Sequence, residues 1–335
     1  MDKQIRICVV GPGAIGGVVA AILSRSGYPV ELVVKYPELA KKISTRGIEV
    51  TGYCGSFTQI IPSVATCDEL EGEFDYVLIA TRGDALEDVA KAVLPVLKKD
   101  SRVVSMQNGI CVDILAEVVG VERAVGCVVG WGGNLLEPGK VRMNSGGECV
   151  LGNWKREPDE KLHTLAKVME QVIDTRITGD ILSELYSKLI INSCISTLGV
   201  LSGLYLGEIL NIRRVRKLVM EMIGESIQVA DAMGIRVAPG AQGKLDYYNF
   251  VAPGFLSDLK RHLTIRVVSI KYRKHKSYNL QRLARGRKTE VDYYNGYIAD
   301  RGREFGVPTP AHTQITQMVH EIEAGKRQIT PDNFK

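Results

Sequence analysis

No C-x-x-C pair occurs in the 335 residues, and the seven cysteines lie scattered at positions 8, 54, 67, 111, 127, 149 and 194. An odd, dispersed set supports neither a disulfide framework nor a zinc site, so buried free thiols in a reducing compartment are expected. His163, His262, His275, His312 and His320 form no H-E-x-x-H or other close pair, and no metal is expected. There is no unbroken apolar run of membrane-spanning length and no basic-then-apolar leader. Those two absences point to a cytoplasmic protein with no membrane partner. Repeats and low-complexity tracts are missing as well. A net charge of +5 is too small by itself to imply a nucleic-acid partner. What is present is globular: 45% hydrophobic and 24% charged residues, in a length with room for two domains.

Residues 5–10, "IRICVV", are β-branched and apolar, as a central parallel strand requires. "GPGAIGGVVAAILSRSG" follows as a glycine turn and a helix ending at Gly27, then "PVELVV" (29–34) as a second strand. "FDYVLIAT" (74–81) and "SRVVSM" (101–106) read as further strands, with "ALEDVAKAVLPVLKK" a helix between them. This alternation predicts an α/β fold with a Rossmann-type doubly wound parallel sheet. Within 123–152, "AVGCVVGWGG", "GKVRMN" and "ECVLGN" predict a meander on the sheet's edge. A helix near 158–173 and the strand "TRIT" close this first domain, 1–179. From there the pattern is all-helical, giving a second domain, 180–335, with helices expected at 181–202, 213–233, 241–249, 255–283, 287–305 and 311–324.

Gly11, Pro12, Gly13, Ala14, Ile15 and Gly16 match G-x-G-x-x-G directly after a strand and at the opening of a helix. Such a turn lets a pyrophosphate approach the backbone and rest on the helix N-terminus; a plain glycine turn is the alternative. The second strand's tip separates the two cofactors. Glu31 lies early in the strand, whereas the tip is Val34-Lys35, followed by Lys41 and Lys42. Positive charge at that place suits a 2′-phosphate, so NADP(H) is expected, with Lys35 as a plain surface charge the competing reading.

The helical stretch "YSKLIINSCIS" (186–196) carries Lys188 and Asn192 one turn apart, with Ser196 a further turn along. Leu189, Ile190, Ile191 and Ile195 cover the other sides, so the lysine sits in a mostly buried helix, where an unpartnered charge costs several kcal/mol. An ordinary ion pair with Glu184, worth about 0.3–0.5 kcal/mol, is one explanation. The other is chemical. A desolvated ammonium can stabilise and protonate an oxygen on which charge develops.

Taken with "VVGPGAIGG", "MQNGI" (106–110), "SKLIINSCISTLG" (187–199), "LQRLARGRKTEVDYYNGYI" (280–298) and "GVPTP" (306–310), the sequence resembles the ketopantoate reductase (2-dehydropantoate 2-reductase) family over nearly its whole length. The resemblance implies a Rossmann domain followed by a helical domain. The implied activity is NADPH-dependent reduction of a small-molecule 2-oxo acid, ketopantoate to pantoate in pantothenate biosynthesis, at a site between the domains. It gives Lys188 the place of the catalytic lysine and general acid, and Glu290 that of the active-site glutamate. Asn192 takes the place of a substrate-contacting asparagine, and Asn108 that of an asparagine near nicotinamide and substrate. Arg82 and Lys35 stand where basic residues meet the cofactor phosphates.

The substrate-contact positions depart from the family pattern. Ser196 and Leu206 stand where asparagines are expected, His275 and Tyr278 where an asparagine and a serine are, and Arg282 where an aspartate is. Ser196, His275 and Tyr278 remain substrate-binding candidates, and a different 2-oxo acid, bulkier or more anionic, fits these changes. Reduction of an imine, or a catalytically silent NADP(H)-binding sensor or scaffold, are the other readings. From Lys260 to Lys288 there are eleven Lys or Arg and no Asp or Glu. That segment reads as a solvated helix face, a charge that steers anions, or, least consistent with the family blocks running through it, a nucleic-acid footprint. An apolar helical domain also suits a homodimer.

Overall fold

The structure, a computed structural model, describes residues 5–243, 245–252, 255–271, 273 and 276–335. His275 lies outside the described residues. The chain divides into two compact units, Met1–Leu185 and Tyr186–Lys335.

The first unit begins with β1 (Ile7–Val10), α1 (Ala14–Arg25), β2 (Val30–Val33), α2 (Pro37–Arg46), β3 (Ile48–Gly52), β4 (Phe57–Gln59) and β5 (Ser63–Val64). It continues through β6 (Phe74–Ile79), α3 (Leu86–Ala92), β7 (Leu97–Ser105), α4 (Val112–Val119) and β8 (Ala124–Val129). The last elements are β9 (Gly133–Glu137), β10 (Lys140–Met143), β11 (Cys149–Asn153), α5 (Glu160–Met169) and β12 (Thr175–Ile177). The main sheet has the order β5-β2-β1-β6-β7-β8-β11-β12. Its first six strands pair in parallel. The strand "ICVV" of β1 is buried throughout because parallel strands are covered on both faces. The chain winds outward from β1 to β5, then returns to the other side of β1 with β6. That reversal leaves the carboxyl ends of β1 and β6 at the point where ligands bind in open α/β sheets.

The expected edge meander is not what forms. β8 continues the parallel order beside β7. β9 and β10 leave it to build a second sheet, β4-β3-β10-β9, and β11 returns antiparallel to β8. Gly130 permits this departure: a Cβ there would lie 2.5 Å from the Glu148 carbonyl oxygen, where the leaving and returning chains cross. Strand periodicity reports a pleat, not a partner, so three short β runs in sequence could not reveal two sheets. The helix expected up to Lys99 also stops early, at Ala92. Pro95 sits in a tight 3₁₀ turn, Leu94–Val96, and β7 begins at Leu97.

The second unit is helical. α6 (Ile181–Ser202) runs through the division, followed by α7 (Leu206–Asn211), α8 (Arg213–Ala232), α9 (Gly240–Gly243) and α10 (Tyr247–Val251). α11 (Phe255–Lys271), α12 (Tyr278–Leu283), α13 (Asn295–Glu304) and α14 (Pro310–Glu323) complete it. Three expected helices are shorter or broken. The stretch 241–249 becomes α9 and α10, because the Asp246 side chain accepts from the backbone N–H of Tyr248 and Asn249 and starts a new helix there. Ser277 does the same for α12, splitting 255–283. α13 starts only at Asn295, after a 3₁₀ turn at Val291–Tyr293. α6 is long and apolar enough to cross a membrane by length and composition, yet 72% of its most apolar stretch is buried inside the protein.

Candidate active site

In the first unit, the glycine turn joins β1 to α1. The Gly11 N–H donates to the Val33 carbonyl at 3.0 Å and ties the turn to β2. Gly11 has φ +109°, the left-handed region, and a Cβ there would lie 3.0 Å from the backbone of Ala80. A Cβ on Gly16 would overlap the Gly11 carbonyl oxygen and lie 2.9 Å from the Ala80 Cβ, so α1 can approach the strands only with glycine at this position. A Cβ on Gly13 would meet nothing within 4 Å. Pro12, Gly13, Ala14 and Ile15 are partly accessible, whereas Gly11 and Gly16 are buried. No side chain caps the first turn of α1. Buried glycines at both ends and an open, uncapped middle are what a pyrophosphate needs.

A second observation supports the fit. Thr81, next to Ala80 at the end of β6, has a buried Oγ1 with no hydrogen-bond partner among the described residues. Leaving a buried polar atom so costs about 1–3 kcal/mol, which a bound polar ligand removes. The motif reading passed over this threonine, although it directly precedes Arg82 in "ATRGD".

Glu31 is engaged elsewhere. Its carboxylate takes the Arg6 guanidinium at 2.5 Å, toward the opposite end of the strands from the turn. Lys35, at the tip of β2, is exposed, its ammonium 5.8 Å from the centre of the Tyr36 ring. Arg82 is exposed and paired with Asp84, Nε to Oδ1 at 2.8 Å, a partner the sequence reading did not weigh. Asn108 is half-buried just past β7, in front of Gly109 at φ +87°. Its neighbour Gln107 anchors it. Gln107 accepts from Ser105 Oγ at 2.6 Å and donates to the Ile79 carbonyl at 3.1 Å, clamping the ends of β6 and β7 together.

In the second unit, α6 is buried except along one stripe. From Tyr186 to Gly199, the partly accessible residues are Lys188, Ile191, Asn192, Ile195 and Ser196, a spacing of three and four that defines one face. Lys188 and Asn192 therefore share the open face of an apolar helix. Glu184, the expected alternative partner of the lysine, accepts from Arg176 on β12 at 2.8 Å.

Glu290 lies just ahead of the 3₁₀ turn and is held on three sides. Its backbone N–H donates to Asn279 Oδ1 at 3.1 Å, and its Oε2 accepts from the Tyr294 hydroxyl at 2.6 Å. Its Oε1 lies 4.0 Å from Arg282 Nη1, the two side chains being 16% and 7% exposed. Arg282 is itself braced, Nε donating to the Lys288 carbonyl at 2.9 Å and Nη1 to the Tyr278 hydroxyl at 3.4 Å. Tyr278 is 48% exposed and Leu206 is buried at the start of α7. Asn279 is fully buried, and its Nδ2 has no partner among the described residues. Neither Arg282 nor Asn279 was a site candidate from sequence; Asn279 had no signal beyond its place one residue before "LQRLARG". Elsewhere in the basic segment, Lys260, Arg266, Arg273, Lys276, Arg285, Arg287 and Lys288 are exposed, as a solvated face would be.

Comparison with known proteins gives the arrangement a family. Residues 7–156 match the family model described as ketopantoate reductase PanE/ApbA, and residues 180–323 match ketopantoate reductase PanE/ApbA C terminal. A 2-dehydropantoate 2-reductase of Aquifex aeolicus is 26% identical over 95% of this chain and 97% of its own length. A PanE/ApbA family ketopantoate reductase from Ralstonia eutropha superposes with TM-score 0.81 at 24% identity, covering 97% of this chain and 100% of that one. D-mandelate dehydrogenase, in a ternary structure with NADH and anilino(oxo)acetate, has the same fold at TM-score 0.79 and 23% identity, covering 96% of this chain and 99% of that one. With both halves matched in order and the Rossmann-type unit followed by the helical one, the chain belongs to the ketopantoate reductase family.

Proposed function

We propose that this chain reduces a 2-oxo acid to the corresponding 2-hydroxy acid with NADPH, Lys188 serving as general acid. The observation that carries the reading is the stripe on α6, where Lys188 and Asn192 share the one accessible face of an otherwise buried apolar helix. An ammonium in such surroundings keeps a stronger field than in water, and it acts on the oxygen where charge develops. When bound, the dihydronicotinamide supplies the hydride. Lys188 stabilises the forming alkoxide and gives it a proton, and Asn192 orients the carbonyl by a hydrogen bond. Glu290, fixed by Tyr294 and Asn279, offers an ordered carboxylate that balances positive charge or accepts from a substrate hydroxyl.

The glycine turn and Asn108 are the residues that hold the dinucleotide in this reading. The choice of NADPH rests on Lys35 at the tip of β2, with Glu31 already committed to Arg6 and so withdrawn from the ribose. The names of the relatives support a 2-oxo acid: a 2-dehydropantoate 2-reductase, and a D-mandelate dehydrogenase crystallised with an oxoacetate. The latter holds NADH, so both cofactors belong in the assay.

The test is loss of reduced-nicotinamide absorbance with NADPH and with NADH, using ketopantoate, phenylglyoxylate and pyruvate. Oxidation of NADPH by at least one acid is expected. A preference for NADH overturns the cofactor assignment, and silence with every acid leaves a nucleotide-binding protein without turnover.

A further inference from the structure

We propose that Arg282 binds the carboxylate of the 2-oxo acid. This rests on the reductase reading and adds to it the group that selects an acid over a neutral ketone.

Arg282 differs from the other described cations of its segment in being buried, 6% exposed against a run of solvated neighbours. A cation removed from water costs free energy unless it is paired, and a buried arginine is normally satisfied on both arms of its fork. Here the fork is half used. Nε is spent on the Lys288 carbonyl and Nη1 on the Tyr278 hydroxyl, with Glu290 at 4.0 Å, too long for a hydrogen bond. Nη2 meets no acceptor among the described residues. The bond to Lys288 closes the loop after α12, where Gly286 turns at φ +68°, and so fixes the direction of the guanidinium.

Asn279 adds a second observation. It stands three residues before Arg282 on α12, hence on the same face, and both side chains are tied to Glu290. Its Nδ2 is a fully buried donor with no acceptor among the described residues. Two donors without acceptors, one of them charged, describe a place prepared for an anion. Arginine's planar fork matches a carboxylate as a lysine ammonium does not. The anchoring of α12 points the same way: Ser277 Oγ donates to the Ser196 carbonyl at 2.5 Å, which ties the start of this helix to the stripe that carries Lys188.

The experiment compares ketopantoate with its neutral lactone, in wild type, Arg282→Met and Arg282→Lys. In wild type the acid should have the higher kcat/KM, and Arg282→Met should lower that of the acid about 100-fold more than that of the lactone. Arg282→Lys, which keeps the charge but not the fork, should fall between the two. If acid and lactone lose activity together, or neither changes, Arg282 is only a brace for Glu290 and the proposal is overturned. Titration of the NADPH-loaded protein with oxamate, a 2-oxo acid mimic that is not reduced, covers the case in which wild type turns over neither compound. Oxamate binding lost in Arg282→Met then upholds the anion site while the reductase reading falls; unchanged binding overturns the site.

Discussion

Ser277 Oγ donates to the carbonyl oxygen of Ser196 at 2.5 Å, and the same hydroxyl accepts the Leu280 N–H at 3.3 Å. One side chain thus caps α12 and fastens it to α6, one helical turn beyond Asn192. Glu290 follows from this placement, because Asn279 of α12 holds its backbone. The accessible stripe of α6 and the Glu290 carboxylate are therefore set relative to each other by one serine side chain.

That joint is tight. A Cβ on Gly199 would lie inside van der Waals contact of the Ser277 Cβ and 3.1 Å from its Oγ. Gly199→Ala should therefore destabilise the protein by about 1–3 kcal/mol through overpacking. Ser277→Ala should cost about 1 kcal/mol as a lost cap. Urea denaturation measures both, and an alanine at 199 without cost would show that α12 can move off α6.

Lys188→Ala should lower kcat by about 10²–10⁴-fold, the range for loss of a positioned acid, while leaving the NADPH dissociation constant near that of wild type. Steady-state kinetics beside a fluorescence titration separates the two effects. An alanine variant with undiminished kcat would remove Lys188 from the mechanism.

The glycines at 13 and 16 should respond differently. Gly16→Ala places a Cβ against the Gly11 carbonyl and the Ala80 Cβ, so it should destabilise the first unit as well as abolish dinucleotide binding. Gly13→Ala meets no protein atom within 4 Å and should leave the thermal midpoint unchanged. Its methyl group would still crowd a bound pyrophosphate, weakening NADPH binding roughly 10-fold or more. Thermal unfolding with and without NADPH reads both outcomes.

His312 predicts an acid limit. It is fully buried between α8, α13 and α14, where Nε2 meets the Met222 carbonyl at 2.9 Å and Ser226 Oγ at 3.0 Å, and Nδ1 meets Asn295 Nδ2 at 3.2 Å. Burial pushes its pKa down to about 4 from the ordinary 6.5. Glu225, the one carboxylate bonded to this end of α14 among the described residues, accepts the Ala311 and His312 backbone N–H groups at 2.8 and 3.1 Å, and burial raises its own pKa. The folded state therefore favours neutral imidazole. This contribution is complete above the unfolded pKa near 6.5 and is lost as pH falls toward 4, amounting to roughly 3 kcal/mol. Urea midpoints measured from pH 7 to pH 4 should fall, and His312→Gln should flatten that part of the curve. An equal slope in the variant would assign the acid sensitivity to other groups.

Much of the first unit was legible because its signals are local. The turn from Gly11 to Gly16 needs no distant partner to be recognised: it must follow a strand, open a helix and avoid side chains at two positions. The buried "ICVV" and "FDYVLI" likewise announce parallel strands by composition. β9 and β10 were misplaced because a strand's pattern says which face is apolar and nothing about which strand lies beside it. The breaks before α10 and α12 were missed for a related reason. A single Asp or Ser caps a helix only if its side chain turns back on the backbone, and helix periodicity runs on through such a residue.

Sequence alone determined the strand, glycine turn and helix of β1 and α1 and the helical face shared by Lys188, Asn192 and Ser196, since each depends on spacing of a few residues along one strand or helix. Tertiary structure decided which charges are spent and which are left over. Glu31 is drawn to Arg6, Arg82 to Asp84 and Glu184 to Arg176. Arg282, one of eleven cations in its segment, is the buried one among those described, half-satisfied beside Glu290. A charge's worth depends on its solvent and its neighbours in space, and those are fixed only when distant segments pack together.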